Sequence, residues 1–121
     1  MLPTIYLDAN VFIYFVEGDA AIAEDLHGLF ELLEQRRSLA VTGELTLAEV
    51  LAPPRQATAW SLARKRTLYL DLILGGDFVE LEPISREILI QSANLREHST
   101  LKLADAVHIA SAVPRRCDFF M

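Results

Sequence analysis

Three carboxylates stand within otherwise apolar stretches of the sequence. Asp8 interrupts the run IYLDANVF, Glu49 sits within TLAEVL, and Asp105 lies in LKLADAVHIASA. Brought together from separated segments, three carboxylates make an all-oxygen ligand set, which suits a hard divalent cation such as Mg²⁺ or Mn²⁺. The single cysteine, Cys117, and the three scattered histidines, His27, His98 and His108, have no zinc-ligand spacing. With so few protein ligands, water and a substrate phosphate would complete the shell, the usual construction of Mg²⁺ sites in phosphoryl-transfer enzymes.

Each carboxylate also has a purely structural reading. Asp8 precedes a helix starting near Asn10 and suits its N-cap. Thr46-Leu47-Ala48-Glu49 matches a capping box, in which the glutamate reaches back to the cap amide. Asp105 is flanked by Leu101, Leu103, Ala104, Ala106, Val107, Ile109 and Ala110. A helix apolar on nearly every side predicts burial, and an unpaired buried carboxylate costs several kcal/mol or becomes neutral. A first-turn helix dipole offsets only ~0.3–1 kcal/mol of that, so a cation is expected to face Asp105. His108 follows three residues later on the same helical face, either packed and hydrogen-bonded or supporting the site from behind.

The elements that must position these residues alternate. Pro3–Leu7 reads as a buried strand, followed by a helix from Asn10 to Glu17 closed at Gly18. Asp19 can cap a helix to about Arg36, with Ile22, Leu26, Leu29, Phe30 and Leu33 on one face. Ser38–Thr42 is a second strand, and Thr46 starts a brief helix ending at Pro53–Pro54. Arg55 to Leu74, with Trp60 and Tyr69, reads as a long helix stopped by Gly75–Gly76. Phe78–Leu81 is a third strand. Ser85 caps a helix to about Arg96, Leu103–Val113 is a further helix, and Asp118–Met121 begins a last strand. Strands separated by helices predict a three-layer α/β/α fold around a mostly parallel sheet of four to five strands. In such sheets ligands sit beyond the carboxyl ends of the strands, where Asp8 falls.

At 121 residues, 52% hydrophobic, with a mean hydropathy of +0.27, the chain is expected to fold as one domain over 1–121 rather than to remain disordered. Met1–Val16 lacks a basic start and is broken by Asp8 and Asn10, so neither a signal peptide nor a membrane span is expected. One cysteine fits a reducing cytoplasm. A net charge of −6 argues against a broad nucleic-acid-binding surface, but the basic residues clump at Arg36–Arg37, Arg64–Lys65–Arg66 and Arg115–Arg116. Such clumps permit local phosphate contacts and equally suit plain solvation. Arg96 and Lys102 are further phosphate candidates, and Trp60 and Tyr69 can stack on bases or pack in a core or dimer contact.

YLDANVFIY, TLAEVL and LADAVHIASA, in that order, resemble the three acidic motifs of PIN-domain nucleases, most closely the VapC-type toxins of toxin–antitoxin pairs. The resemblance covers essentially the whole chain. It implies a metal-dependent endoribonuclease acting on single-stranded or looped RNA, with Asp8, Glu49 and Asp105 as the Mg²⁺ or Mn²⁺ site and Asn10 as a polar neighbour that orients it. It also implies an antitoxin partner and a homodimer. The chain departs from the family at RRCDFFM, where relatives usually continue into Thr-Asn-Asp with a fourth acid, and the 1–121 chain is expected to end inside that last strand. It departs again at Gly43, where many relatives carry serine and where Thr46 can supply the hydroxyl instead. A phosphatase of the haloacid dehalogenase type also opens on a strand ending in Asp, but needs a second acid at the position of Asn10. The remaining alternative is a PIN-like scaffold that binds RNA or protein without cutting.

Overall fold

A computed structural model describes residues 2–53 and 61–121. Its elements are β1 (Thr4–Tyr6), α1 (Ala9–Glu17), α2 (Ala20–Glu34), β2 (Leu39–Gly43), α3 (Leu45–Leu51), α4 (Leu62–Leu70), a π-helical turn (Asp71–Gly75), β3 (Val79–Glu82), α5 (Arg86–Glu97), α6 (Leu103–Ala112) and β4 (Phe119–Phe120). The four strands form one all-parallel sheet in the order β3-β2-β1-β4. Ile5 is in register with Ala40 on one side and Phe119 on the other. The chain adds β2 and β3 to one side of β1 and returns to place β4 on the other. The order therefore reverses at β1, which makes its carboxyl end the crevice of the sheet.

Alternation along β1 feeds two helical layers. Ile5 and Leu7 pack into the larger core with Phe12, Phe30, Leu33, Ala40, Val50, Tyr69, Ile73 and Phe78. Tyr6 lies on the other face, its ring stacked on Phe120 at 5.1 Å and edge-on to His108 at 5.8 Å. Ile88, Val107 and Ala110 of α5 and α6 form a smaller core on that side, with Leu45 packed against it. In the larger core, Phe30 meets Phe15 and Phe78 edge-on at 4.6 and 5.7 Å, an arrangement worth ~0.5–1.5 kcal/mol per pair beyond burial.

The helix starts follow local chemistry. Asp19, Ser61 and Ser85 accept hydrogen bonds from the amides of Ile22, Arg64 and Ile88 at 3.0, 3.1 and 3.2 Å. The Ser61 cap starts α4 at Leu62, so the long helix expected from Arg55 is not one uninterrupted helix; its beginning, including Trp60, lies outside the described residues. Its end also differs, because the last turn before Gly75–Gly76 is π-helical. Among the described residues, those with left-handed backbone are not glycines. They are Arg36, Asp77 and Arg116, which precede β2, β3 and β4. No helix among the described residues is long and apolar enough to cross a membrane.

Candidate functional site

Asp8 closes β1 at the crevice. The ladder continues past the strand: Leu7 N–H donates to Val41 O, and Asp8 N–H donates to Met121 O, each at 2.8 Å. Extended backbone at Asp8 turns its side chain onto the start of α1, where Oδ1 accepts the Asn10 amide at 2.8 Å. The capping role is thus realised at the same position that the sheet topology marks for a ligand. Asn10 is exposed and contributes its backbone amide.

Behind Asp8 runs a hydrogen-bonded line across the sheet. The buried Tyr6 hydroxyl accepts the Gly43 amide at 2.9 Å and lies 2.7 Å from His108 Nδ1. His108 Nε2 lies 2.5 Å from Glu49 Oε1. If the carboxylate is ionised and the imidazole neutral, Nε2 carries the hydrogen and Nδ1 accepts from Tyr6. Burial pushes the Tyr6 hydroxyl well above the ordinary tyrosine value. The charges of Asp8 and Glu49 push the same way, while the Gly43 amide and Ser111 work against them. Both carboxylates therefore lie within electrostatic reach of one hydroxyl.

Glu49 does not close a capping box. The N-cap of α3 is Glu44, which puts Thr46 inside the first turn, and the Glu49 carboxylate points to His108 instead. Thr46 is buried and shares a 2.7 Å hydrogen bond with Thr42, whose hydroxyl donates to Leu7 O at 2.6 Å. A hydroxyl has one proton, so Thr46 is the donor to Thr42. That pair ties α3 to the end of β1, the segment that carries Asp8. His108 is packed and hydrogen-bonded: it is 3% exposed and bonded at each ring nitrogen, to Tyr6 and to Glu49.

Asp105 differs from expectation. It is exposed, in the first turn of α6, with no hydrogen-bond or ion-pair partner among the described residues. The buried face of α6 consists of Ala106, Val107, His108, Ala110 and Ser111, while Leu103 at its start stands 57% exposed. Apolar composition all round the helix did not mean burial all round, so desolvation does not demand a cation at Asp105. What remains is position, one turn before His108 on the same face.

The basic clumps are largely spent on the protein itself. Arg115 bonds to Glu82 at 2.6 Å and to Glu80, Lys65 is nearly buried 3.4 Å from Glu17, and Arg36 approaches Asp77 at 3.8 Å. Tyr69 is fully buried and donates to Glu17, which makes it core rather than a base-stacking platform. Arg96 donates to Leu101 O at 3.1 Å and braces the loop before α6; Lys102 is exposed in that loop at the helix N-cap.

Among the described residues no group of three or more His, Cys, Asp or Glu side chains is gathered closely enough to hold a metal ion. Asp8 is turned to α1 and Glu49 to His108. As donors, the carboxylates of Asp8, Glu49 and Asp105 match a hard divalent cation. The set fits such an ion in chemistry and is open in arrangement.

A fold with its crevice at the end of β1 and acids just beyond β1, on α3 and on α6 has a known counterpart. The family model of the PIN domain matches residues 5–120, and the chain belongs to that family. Three solved structures are similar to it. One is a toxin–antitoxin complex from Klebsiella pneumoniae (TM-score 0.67, 20% identity, covering 97% of this chain and 84% of that one). Another is VapBC2 from Rickettsia felis, bound to a DNA fragment from its promoter (0.67, 14%, covering 96% and 85%). The third is the sarcin–ricin-loop-cleaving toxin VapC20 of Mycobacterium tuberculosis (0.68, 16%, covering 96% and 86%). At these identities the likeness is one of fold. No match was found among curated protein sequences.

Proposed function

We propose that this chain is a divalent-metal-dependent endoribonuclease, the toxin of a toxin–antitoxin pair, which hydrolyses phosphodiester bonds of single-stranded or looped RNA. The observation that carries the reading is the position of Asp8 in a PIN fold: a carboxylate at the strand end where the sheet order reverses, with Glu49 near the same Tyr6 hydroxyl. Asp8 and Asp105 hold Mg²⁺ or Mn²⁺, and Glu49 joins them directly or through water. A cation bound there supplies charge stabilisation for the phosphate and an activated water near neutral pH. Asn10 orients Asp8, and Thr46 and His108 fix the elements behind it. Lys102 and Arg96, on either side of the loop before α6, meet phosphate.

The similar structures support an antitoxin partner, since one is a toxin–antitoxin complex and another is a VapBC assembly on DNA. The sarcin–ricin-loop-cleaving neighbour favours a looped substrate. A homodimer and a cytoplasmic location complete the reading. One observation favours a second reading, a scaffold that binds RNA or a protein without cutting: the three carboxylates stand apart, two of them turned to protein partners.

Cleavage of a mixed RNA pool with Mg²⁺ or Mn²⁺ separates the two. The nuclease reading expects metal-dependent cutting that disappears in both Asp8→Asn and Asp105→Asn. Folded, metal-supplied protein that leaves the pool intact supports the scaffold.

A further inference from the structure

Gly43 has no room for a side chain. A Cβ built there lies 2.6 Å from the Tyr6 hydroxyl oxygen and 3.3 Å from Ser111 Oγ, too close for the first contact to survive. The same Tyr6 oxygen is fixed from three sides. It accepts the Gly43 amide at 2.9 Å, faces His108 Nδ1 at 2.7 Å, and belongs to a ring stacked on Phe120 at 5.1 Å. His108 is equally constrained, buried on α6 and bonded at both ring nitrogens. Only the end of this line is mobile by nature: the Glu49 side chain is 34% exposed and could adopt several rotamers.

We propose that Tyr6 is a positioning residue for Glu49, acting through His108, and that a glycine at 43 is required to admit its hydroxyl. The inference rests on the nuclease reading for its consequence, since Glu49 is a metal ligand only there. The Tyr6 hydroxyl donates to Nδ1, which keeps the imidazole proton on Nε2 and aims it at Glu49 Oε1. Without that donor, Nδ1 is free to take the proton, and Nε2 then has none to offer the carboxylate. His108 stands one bond behind the metal ligand, where such partners typically change metal affinity or turnover by about 10–100-fold, and Tyr6, one bond further back, is expected at the low end of that range.

The geometry also supplies a rescue. Tyr6→Phe removes the oxygen that crowds residue 43 and keeps the ring that stacks on Phe120. Gly43→Ser then brings a new hydroxyl beside the vacated position, where it is expected to take over the contact with His108 Nδ1.

Four proteins test this: the unaltered chain, Tyr6→Phe, Gly43→Ser and the double variant. The first readout needs neither metal nor RNA. Nitrogen-15 spectra of the histidine rings are expected to show His108 as the Nε2–H tautomer in the unaltered chain, mixed or inverted in Tyr6→Phe, and restored in the double variant. An Nδ1–H tautomer in the unaltered chain overturns the proposal without any variant having to fold. So does a His108 spectrum indifferent to Tyr6→Phe. The second readout is thermal stability: Gly43→Ser is expected to destabilise the unaltered chain and to cost much less in the Tyr6→Phe background, and equal costs overturn the steric coupling. The third is Mn²⁺ affinity and RNA cleavage. Tyr6→Phe is expected to weaken Mn²⁺ binding or kcat about tenfold with an unchanged KM for RNA, largely recovered in the double variant. An unaltered chain that neither binds Mn²⁺ nor cuts RNA refutes the nuclease reading, while the histidine spectra still decide whether Tyr6 orients Glu49.

Discussion

His108 and Glu49, 59 positions apart in sequence, share a 2.5 Å hydrogen bond that joins α6 to α3. It holds a carboxylate that is partly exposed and would otherwise sample several rotamers. The bond makes the position of Glu49 a property of the packed core, because His108 is itself fixed by Tyr6 on β1. Three elements of the fold thereby converge on one acidic side chain.

Asp8 has two roles that one substitution separates. Asparagine caps helices about as well as aspartate, so Asp8→Asn keeps an oxygen for the Asn10 amide and is expected to change stability by less than about 0.5 kcal/mol. It removes the charge a divalent ion needs, and metal-dependent cleavage is expected to fall by about 10²-fold or more. Denaturant melts beside RNA-cleavage rates check both halves. A large stability loss with activity retained in proportion to folded protein would make Asp8 a cap and nothing more.

The parts of the structure that were legible in the sequence are those written locally. Asp19 and Ser85 announce their helices by a cap residue before an apolar period, and both caps form. The strand–helix alternation yields the parallel sheet. Local spacing misled at Glu49: Thr46 and Glu49 have capping-box spacing, yet α3 begins one residue earlier and Thr42 offers Thr46 a buried partner. Composition misled at Asp105, because Leu103 and Val113, at the two ends of the helix, are exposed and give no indication of which face is covered. The Tyr6–His108–Glu49 line was not readable as a line. Tyr6 passes for an ordinary strand residue, and its link to His108 spans 102 positions. The steric demand at Gly43 had a faint signal, a glycine ending an apolar strand, but its meaning needed the Tyr6 oxygen.

The threonine pair predicts an asymmetry. Thr46 donates to Thr42, and Thr42 donates to Leu7 O, all buried. Thr46→Val deletes one bond and leaves Thr42 still donating, so a loss of about 1 kcal/mol is expected. Thr42→Val strips Leu7 O of this donor and Thr46 of its acceptor, which is expected to cost about 1–3 kcal/mol. Chemical denaturation of the two variants tests the order. Equal losses would mean that water or a shifted backbone satisfies the freed groups.

Arg115 links the segment after α6 to β3 by donating to both Glu82 and Glu80. The Glu82 side chain is only 15% exposed, so Arg115→Met leaves a largely desolvated carboxylate without its cation. The expected cost is about 1.5–3 kcal/mol, more than an exposed ion pair contributes. A double variant that also carries Glu82→Gln should recover part of the loss, since the buried charge is gone. Additive losses in that cycle would count against the pairing.

Alkaline pH should unfold the protein through two of its three tyrosines. Burial is the main reason the Tyr6 and Tyr69 hydroxyls lie well above the ordinary value near 10; for Tyr69 the bond to Glu17 and that carboxylate's charge add to it. The folded chain keeps two protons that the unfolded chain releases once pH passes about 10. Their contribution to stability is therefore fully present below that pH and declines as pH rises above it. The slope approaches about 1.4 kcal/mol per pH unit for each tyrosine. Tyrosinate absorbance and circular dichroism recorded in one titration test this: ionisation of Tyr6 and Tyr69 is expected to coincide with loss of structure. Tyr6→Phe removes one proton from the linkage and should make the decline shallower, by about that slope. If all the tyrosines ionise near pH 10 while the dichroism stays native, the hydroxyls of Tyr6 and Tyr69 are not held as the fold implies.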